Sequence, residues 1–192
     1  MRIFVAVPLP GDIRTALSGL CGGIAGTRWI EPDNMHITLR FAGEISRAEA
    51  EDLHLELATI RFPEFEIGLS GIGTFERRGH VHMLWVGFEF AQTLIELRDR
   101  VEAAAVRSGL SPNPRKFKPH ITLCRFKSYS MPDIGPYLEM NNAFSTPPFL
   151  VDRFTLYQSR LGHGGARYEV LHEYPLTQTV LYGEEAVGSF IN

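Results

Sequence analysis

The sequence predicts an α+β fold with many strands and few helices. Three observations lead there. Short apolar or alternating runs bounded by Gly, Pro and charged turns outnumber the segments of helical periodicity. Those helical segments carry their own start and stop signals. One strand-like word, His-Ile-Thr-Leu, occurs twice. At 192 residues and 44% apolar composition, the chain is sized for one shared core.

The elements follow in chain order. Ile3-Phe4-Val5-Ala6-Val7 is a continuous apolar run, the pattern of a central strand. Pro8 to Gly11 break it, Asp12 caps a helix to about Leu20, and Gly22-Gly23 end that helix. Ser46-Arg47-Ala48-Glu49 is a capping box before Ala50, Leu53, Leu57 and Ile60 at helical spacing. Phe65 to Leu69 and Val81 to Phe88 form strands joined through Gly/Arg-rich turns. Thr93-Leu94-Ile95-Glu96 is a second box, with Leu94, Leu97, Val101 and Ala105 on one face and Gly109 as the stop. Phe149 to Tyr157 and Tyr168 to His172 pair as a hairpin around Gly162-His163-Gly164-Gly165.

Charge and composition exclude several classes of function. Lys and Arg total 19 against 22 Asp and Glu, a formal net charge of -3. Duplex binders draw affinity from counterion release along a basic stripe, so duplex DNA is not an expected partner. A pocket for one phosphate or one nucleotide end remains open. Cys21 and Cys124 are too few for a disulfide framework or a four-thiolate metal site, and are expected as free, buried or half-buried thiols. No run reaches the ~18 apolar residues of a membrane span. The strand-like start, Met1 to Pro8, does not resemble a signal peptide. The expectation is a soluble, cytoplasmic monomer without a membrane partner.

The repeat carries the chemistry. Met35-His36-Ile37-Thr38-Leu39-Arg40-Phe41 recurs as Pro119-His120-Ile121-Thr122-Leu123-Cys124-Arg125-Phe126, 84 residues later, each copy after a Pro-containing turn. In a strand, residues i and i+2 share a face. His36 and Thr38 then point one way, with Ile37, Leu39 and Phe41 toward a core; His120 and Thr122 oppose Ile121 and Leu123. Set side by side, the two strands line one cleft with two imidazoles and two hydroxyls. An imidazole titrates near neutrality, so one ring can accept a proton while another donates one. Such a pair can activate water on one side of a phosphorus and protonate the leaving oxygen on the other. Thr hydroxyls can hydrogen-bond the non-bridging oxygens. Nothing in this scheme calls for a metal or cofactor.

From Ser111 to Ser130 there are five basic residues, Arg115, Lys116, Lys118, Arg125 and Lys127, and no acidic one. An Arg can hold phosphate through its planar fork. Strict alternation puts Arg125 opposite His120 and Thr122, so it reaches the cleft only through a bulge or strand end near Cys124. The same parity sets Arg40 beside His36 and Thr38 as a second-rank candidate. A single His-x-Thr would be read as a strand with a polar outer face; two copies in register point to a site. Zinc is the weaker alternative, because neither copy brings a Cys or carboxylate at ligand spacing. His80 and His82 share a face of a turn-flanked edge and are expected to be solvated. His54 is expected on a helix surface, while His163 and His172 have no visible partner. Trp29 and Trp85 fit a core or rim better than a base-stacking platform.

Two His-x-Thr-hydrophobe motifs in a chain of this size resemble the 2H phosphoesterase superfamily. The nearer likeness is to the bacterial and archaeal RNA 2′,3′-cyclic phosphodiesterases, also called 2′-5′ RNA ligases. It runs from Met1 to Leu176 and includes Arg2 to Val7, the block Arg28 to Glu44, Pro119 to Arg125, Leu156 to Leu161, Tyr168 to Leu171 and Tyr174-Pro175-Leu176. The resemblance implies a bilobal α+β fold, with two pseudo-symmetric antiparallel sheets flanking a cleft and helices outside. It makes residues 1–176 one domain and leaves residues 177–192 as an extension of no assigned role. It implies metal-independent hydrolysis of a 2′,3′-cyclic phosphate to a 2′-phosphomonoester. His36 and His120 become the proton-transfer pair, with Thr38, Thr122 and Arg125 on the phosphate. Of the two orders that the sequence leaves open, the one taken here has His120 activate water and His36 protonate O3′. The expected partners are RNA ends or nucleotides bearing a 2′,3′-cyclic phosphate, with reverse 2′-5′ ligation open to the same histidines. A phosphodiesterase for a small cyclic nucleotide or ADP-ribose cyclic phosphate, and a non-catalytic RNA-end-binding module, are the alternatives.

Overall fold

A computed structural model describes residues 1–126, 133–162 and 165–177. Two antiparallel four-stranded sheets make the frame. The first has the order β2-β1-β7-β8, from β1 (Arg2–Pro8), β2 (His36–Glu44), β7 (Arg153–Gly162) and β8 (Gly165–Pro175). The second has the order β5-β4-β3-β6, from β3 (Phe65–Arg77), β4 (His80–Glu89), β5 (Ile121–Arg125) and β6 (Phe149–Val151). Four helices accompany them: α1 (Gly11–Ser18), α2 (Arg47–Leu57), α3 (Gln92–Arg107) and α4 (Gly135–Asn141). The expected α+β class, with two antiparallel sheets, holds.

The sheets are built alike. Strand β1 leads through α1 and a Pro-containing loop to β2, its antiparallel neighbour; β4 leads through α3 and a second such loop to β5, its own antiparallel neighbour. Each His-x-Thr strand therefore lies at the edge of its sheet. Ile3 to Val7 are all buried, as a central strand covered on both faces requires. One apolar core draws from both sheets, including Val5, Ile37 and Leu156 from the first and Leu84, Val86 and Ile121 from the second. The loop after α1 ties the sheets together, because Trp29 bridges to Cys124 and the Ile30 N–H donates to the Leu123 carbonyl at 2.8 Å.

Several expectations need correction. Asp12 does not cap α1: Pro10 occupies that position without a side-chain bond, and Asp12 sits inside the first turn. The box at Ser46 and Glu49 forms reciprocally, at 3.2 and 2.8 Å. The one at Thr93 does not, because Phe90 at φ +52° turns the chain out of β4 early and the helix starts at Gln92. The periodic face of α3 is nevertheless buried at Leu94, Leu97, Val101 and Ala105, and Gly109 stops it at φ +95°. The β3–β4 hairpin extends well past its apolar pattern, closing on Arg78 and Gly79, both at positive φ, which suits the twist of a two-residue turn.

The run from Phe149 to Tyr157 is not one strand. It breaks at Asp152, and β6 joins the second sheet while β7 joins the first. His54 and His172, read as a surface residue and a partnerless one, stack with ring centroids 3.6 Å apart, and His54 Nδ1 lies 3.0 Å from the Tyr174 hydroxyl. Both cysteines carry free thiols, Cys21 half-buried and Cys124 buried. Thr177 is bonded to the body, its N–H donating to Phe62 and its carbonyl accepting from Glu64. Lys127, His163 and residues 178–192 lie outside the described residues. Among the described residues, no helix is long and apolar enough to cross a membrane.

Candidate active site

A bulge at the same place in each repeat sets the site. In the first sheet Ala6 pairs with Thr38 and Val5 with Arg40, so Leu39 is an extra residue in β2. In the second, Trp85 pairs with Thr122 and Leu84 with Cys124, so Leu123 is the extra residue in β5. An inserted residue reverses the alternation beyond it. Cys124 is thereby turned into the core, and Arg125 comes to line the cleft with Thr122. This is the departure from strict alternation that Arg125 needed.

The same shift corrects the first copy. Phe41, expected in the core, stands where Arg125 does in the repeat; it is 50% exposed and packs against Phe4 at 5.6 Å. Arg40 takes the position of Cys124 and is buried. It borders the cleft, but its guanidinium is engaged. It donates to the carbonyls of Phe41 at 2.9 Å and Ser111 at 2.6 Å, and pairs with Glu102 at 3.0 Å.

The two imidazoles are held alike. His36 Nδ1 lies 2.8 Å from the Asn34 carbonyl, and His120 Nδ1 lies 2.7 Å from that of Lys118. A carbonyl only accepts, so each Nδ1 carries the proton and each neutral ring leaves Nε2 as a bare acceptor. Phe4 lies against His36 and Phe75 meets His120 edge-on, each at 4.9 Å. Burial pushes the His36 pKa down to about 4, against the opposing pull of the Asn34 carbonyl; the charges of Arg125 and His120 lower it further. His120 is also lowered, first by burial and then by Arg125, against the bond to Lys118.

An inner pocket of about 50 Å³ is lined by His36, Thr38, Thr122, Arg125 and Tyr168, with Asn34, Ile30 and Phe41 around them. It adjoins a cleft of about 770 Å³ that includes His120 and again Thr38, Thr122, Arg125 and Tyr168. Of the five residues put forward from the sequence, Thr38, Thr122 and Arg125 therefore line both spaces, while His36 lines the inner pocket and His120 the adjoining cleft. Sequence reasoning missed Tyr168, which meets His36 edge-on at 5.2 Å and lines both spaces beside Arg125. Its strand is brought to the site by β8 pairing, and no local pattern marks it. His82, expected to be solvated, lines the cleft with a buried Nδ1, because β4 bulges there between the partners of Phe75 and Glu76. His80 is exposed as expected. Trp85 is half-buried at the rim, 6.4 Å from His120, and Trp29 packs on Tyr137 at 5.7 Å.

No group of three or more His, Cys, Asp or Glu among the described residues is arranged to hold a metal ion. What the site offers is two neutral bases, two hydroxyls and one guanidinium around a volume suited to a phosphate.

Comparison with known proteins identifies the family. The family model described as LigT-like phosphoesterase matches residues 7–85 and 87–168, which contain both His-x-Thr strands. A relative from Aeropyrum pernix named RNA 2′,3′-cyclic phosphodiesterase is 37% identical over 146 residues, covering 75% of this chain and 83% of its own. One of the same name from Thermotoga maritima is 31% identical over 179 residues, covering 90% and 94%. The crystal structure of E. coli LigT complexed with 3′-AMP superposes with a TM-score of 0.74 at 32% identity, over 92% of this chain and 98% of that one.

Proposed function

The chain belongs to the LigT-like phosphoesterase family, and from that membership we propose that it hydrolyses RNA 2′,3′-cyclic phosphate ends to 2′-phosphomonoesters, with His36 and His120 as its proton-transfer pair. The observation that carries this reading is the matched pair of imidazoles, each with a bare Nε2, one lining a pocket and the other the cleft beside it, with Thr38, Thr122 and Arg125 lining both.

In the proposed reaction the cyclic phosphate lies between the rings. His120, on the side of the open cleft, takes a proton from water as its oxygen bonds to phosphorus. The P–O3′ bond breaks on the other side, and protonated His36 delivers its proton to O3′. The product is a 2′-phosphomonoester with a free 3′-hydroxyl, and the proton left on His120 returns through solvent. Charge on the non-bridging oxygens falls to the hydroxyls of Thr38 and Thr122 and the guanidinium of Arg125. His36 is neutral in the empty site near pH 7. It takes up its proton when the anionic substrate arrives, because that anion offsets the desolvation and the nearby positive charge. With a 5′-hydroxyl in place of water as the nucleophile, the same steps would turn the cyclic phosphate into a 2′-5′ phosphodiester and a free 3′-hydroxyl; water vastly outnumbers RNA ends, so hydrolysis dominates.

The test is turnover of short oligonucleotides ending in 2′,3′-cyclic phosphate, with the product checked as 2′- or 3′-phosphate. Alanine at His36 or His120 is expected to lower kcat by about 10²–10⁴, the usual worth of one acid–base group, while phosphate binding survives. A bell-shaped pH–rate profile is expected, insensitive to EDTA. A 3′-phosphate product, or full activity in either variant, rejects the assignment. Binding without turnover would identify an RNA-end-binding module.

A further inference from the structure

We propose that the loop from Ser111 to Lys118 is a track for the phosphodiesters on the 5′ side of the reacting end, so that the cleft takes a strand of several nucleotides rather than an isolated nucleotide. The inference rests on the phosphodiesterase reading above and adds a substrate class to it.

This loop lines the same cleft as His120, with Arg115, Lys116 and Lys118 on the wall and Arg2 there as well. Among the described residues no Asp or Glu lines it, in a chain whose acidic residues outnumber its Lys and Arg. That segregation of charge is the footprint of a polyanion. Two other cations on the wall, Arg40 and Arg98, share Glu102 at 3.0 and 3.3 Å, and Arg98 also pairs with Asp99 at 3.1 Å, so the loop supplies the charge instead. The series begins beside the reaction centre, because the Lys118 ammonium stands 5.7 Å over Phe75, which touches His120.

The loop is pinned in place. The Asn113 N–H donates to Glu102 at 2.7 Å, Arg40 donates to the Ser111 carbonyl, and the Arg115 N–H donates to Asn113 Oδ1 at 3.1 Å. Its one aromatic, Phe117, lies under the Arg98 guanidinium at 5.5 Å and is not free to stack on a base. The track therefore holds backbone phosphates and is indifferent to base sequence.

The experiment compares a nucleoside 2′,3′-cyclic phosphate with a hexanucleotide carrying the same 3′ end, between 50 and 200 mM salt, in the wild type and in the double variant Arg115→Ala, Lys116→Ala. Both side chains are exposed, so the variant is expected to fold, and its melting temperature checks that. The wild type should show a lower KM and a steeper salt dependence for the hexanucleotide. Each phosphate contact to a single strand contributes about 0.7 to the log–log salt slope, so losing two should flatten it by about 1.4. Turnover of the mononucleotide should be unchanged. Equal KM and equal salt slopes for the two substrates, or an equal loss on both in the variant, overturn the track. Binding of a labelled hexanucleotide 2′-phosphate, with the same salt comparison, decides the track even if neither cyclic phosphate turns over. That last result would instead refute the phosphodiesterase reading.

Discussion

Glu102 joins three parts of the cleft wall. One carboxylate receives Arg40 from β2, Arg98 from its own helix and the backbone N–H of Asn113. Arg40 and Arg98 are both largely shielded from water, so removing their partner strands buried positive charge. Glu102→Ala should therefore destabilise the fold by about 3–5 kcal/mol, measurable by denaturant titration; a loss below about 1 kcal/mol would mean that the network is solvated. His36 makes a second prediction at this scale. Its ring should titrate near pH 4 in the free protein by NMR, and the midpoint should rise when a 2′-phosphomononucleotide binds. A midpoint near the ordinary 6.5 in the free protein would contradict the burial argument. The residues of this scale were unequally legible. The twin His-x-Thr words announced His36 and His120, whereas Tyr168 and Glu102 act through partners far off in the chain.

At the scale of elements, the paired bulges decide which side chains meet the cleft. A parity argument placed Arg40 in the site and left Arg125 outside it; one extra residue in each strand exchanged that outcome. Such a bulge is set by pairing with the neighbouring strand, so its own strand's sequence does not declare it. The wall behind His120 depends on a close approach of similar origin. A Cβ on Gly73 would overlap the Trp85 indole, which packs against Phe75 and lies near His120. Gly73→Ala should displace Trp85 at a cost of about 1–3 kcal/mol and lower activity, with indole fluorescence reporting the move. An unchanged emission spectrum and unchanged turnover would show that the wall absorbs the methyl. The cap of α2 is simpler. Ser46→Ala removes a reciprocal box and should cost about 1 kcal/mol, a fall of roughly 2–4 °C in Tm.

For the molecule as a whole, burial of imidazoles links stability to pH. His36, His120 and His172 all have lowered pKa values in the fold, so protonation favours the unfolded chain. The contribution is complete above the unfolded value of about 6.5 and is lost as pH falls, for His36 down to about 4. Denaturant midpoints should drop between pH 7 and pH 5, and His36→Gln should reduce that drop. A midpoint that stays level or rises over this range would reject the linkage.

From the chain alone came the α+β class, the buried faces of α2 and α3, and the two strands that carry the histidines. These rest on local rules: side-chain period, capping chemistry and a repeated word. The tertiary structure decided the rest. It split Phe149 to Tyr157 between two sheets, started α3 before its apparent box, and turned Arg125 into the cleft while tying Arg40 to Glu102. Each of these depends on which backbone lies alongside, and hydrogen-bond register between distant strands leaves no mark within a short stretch of sequence.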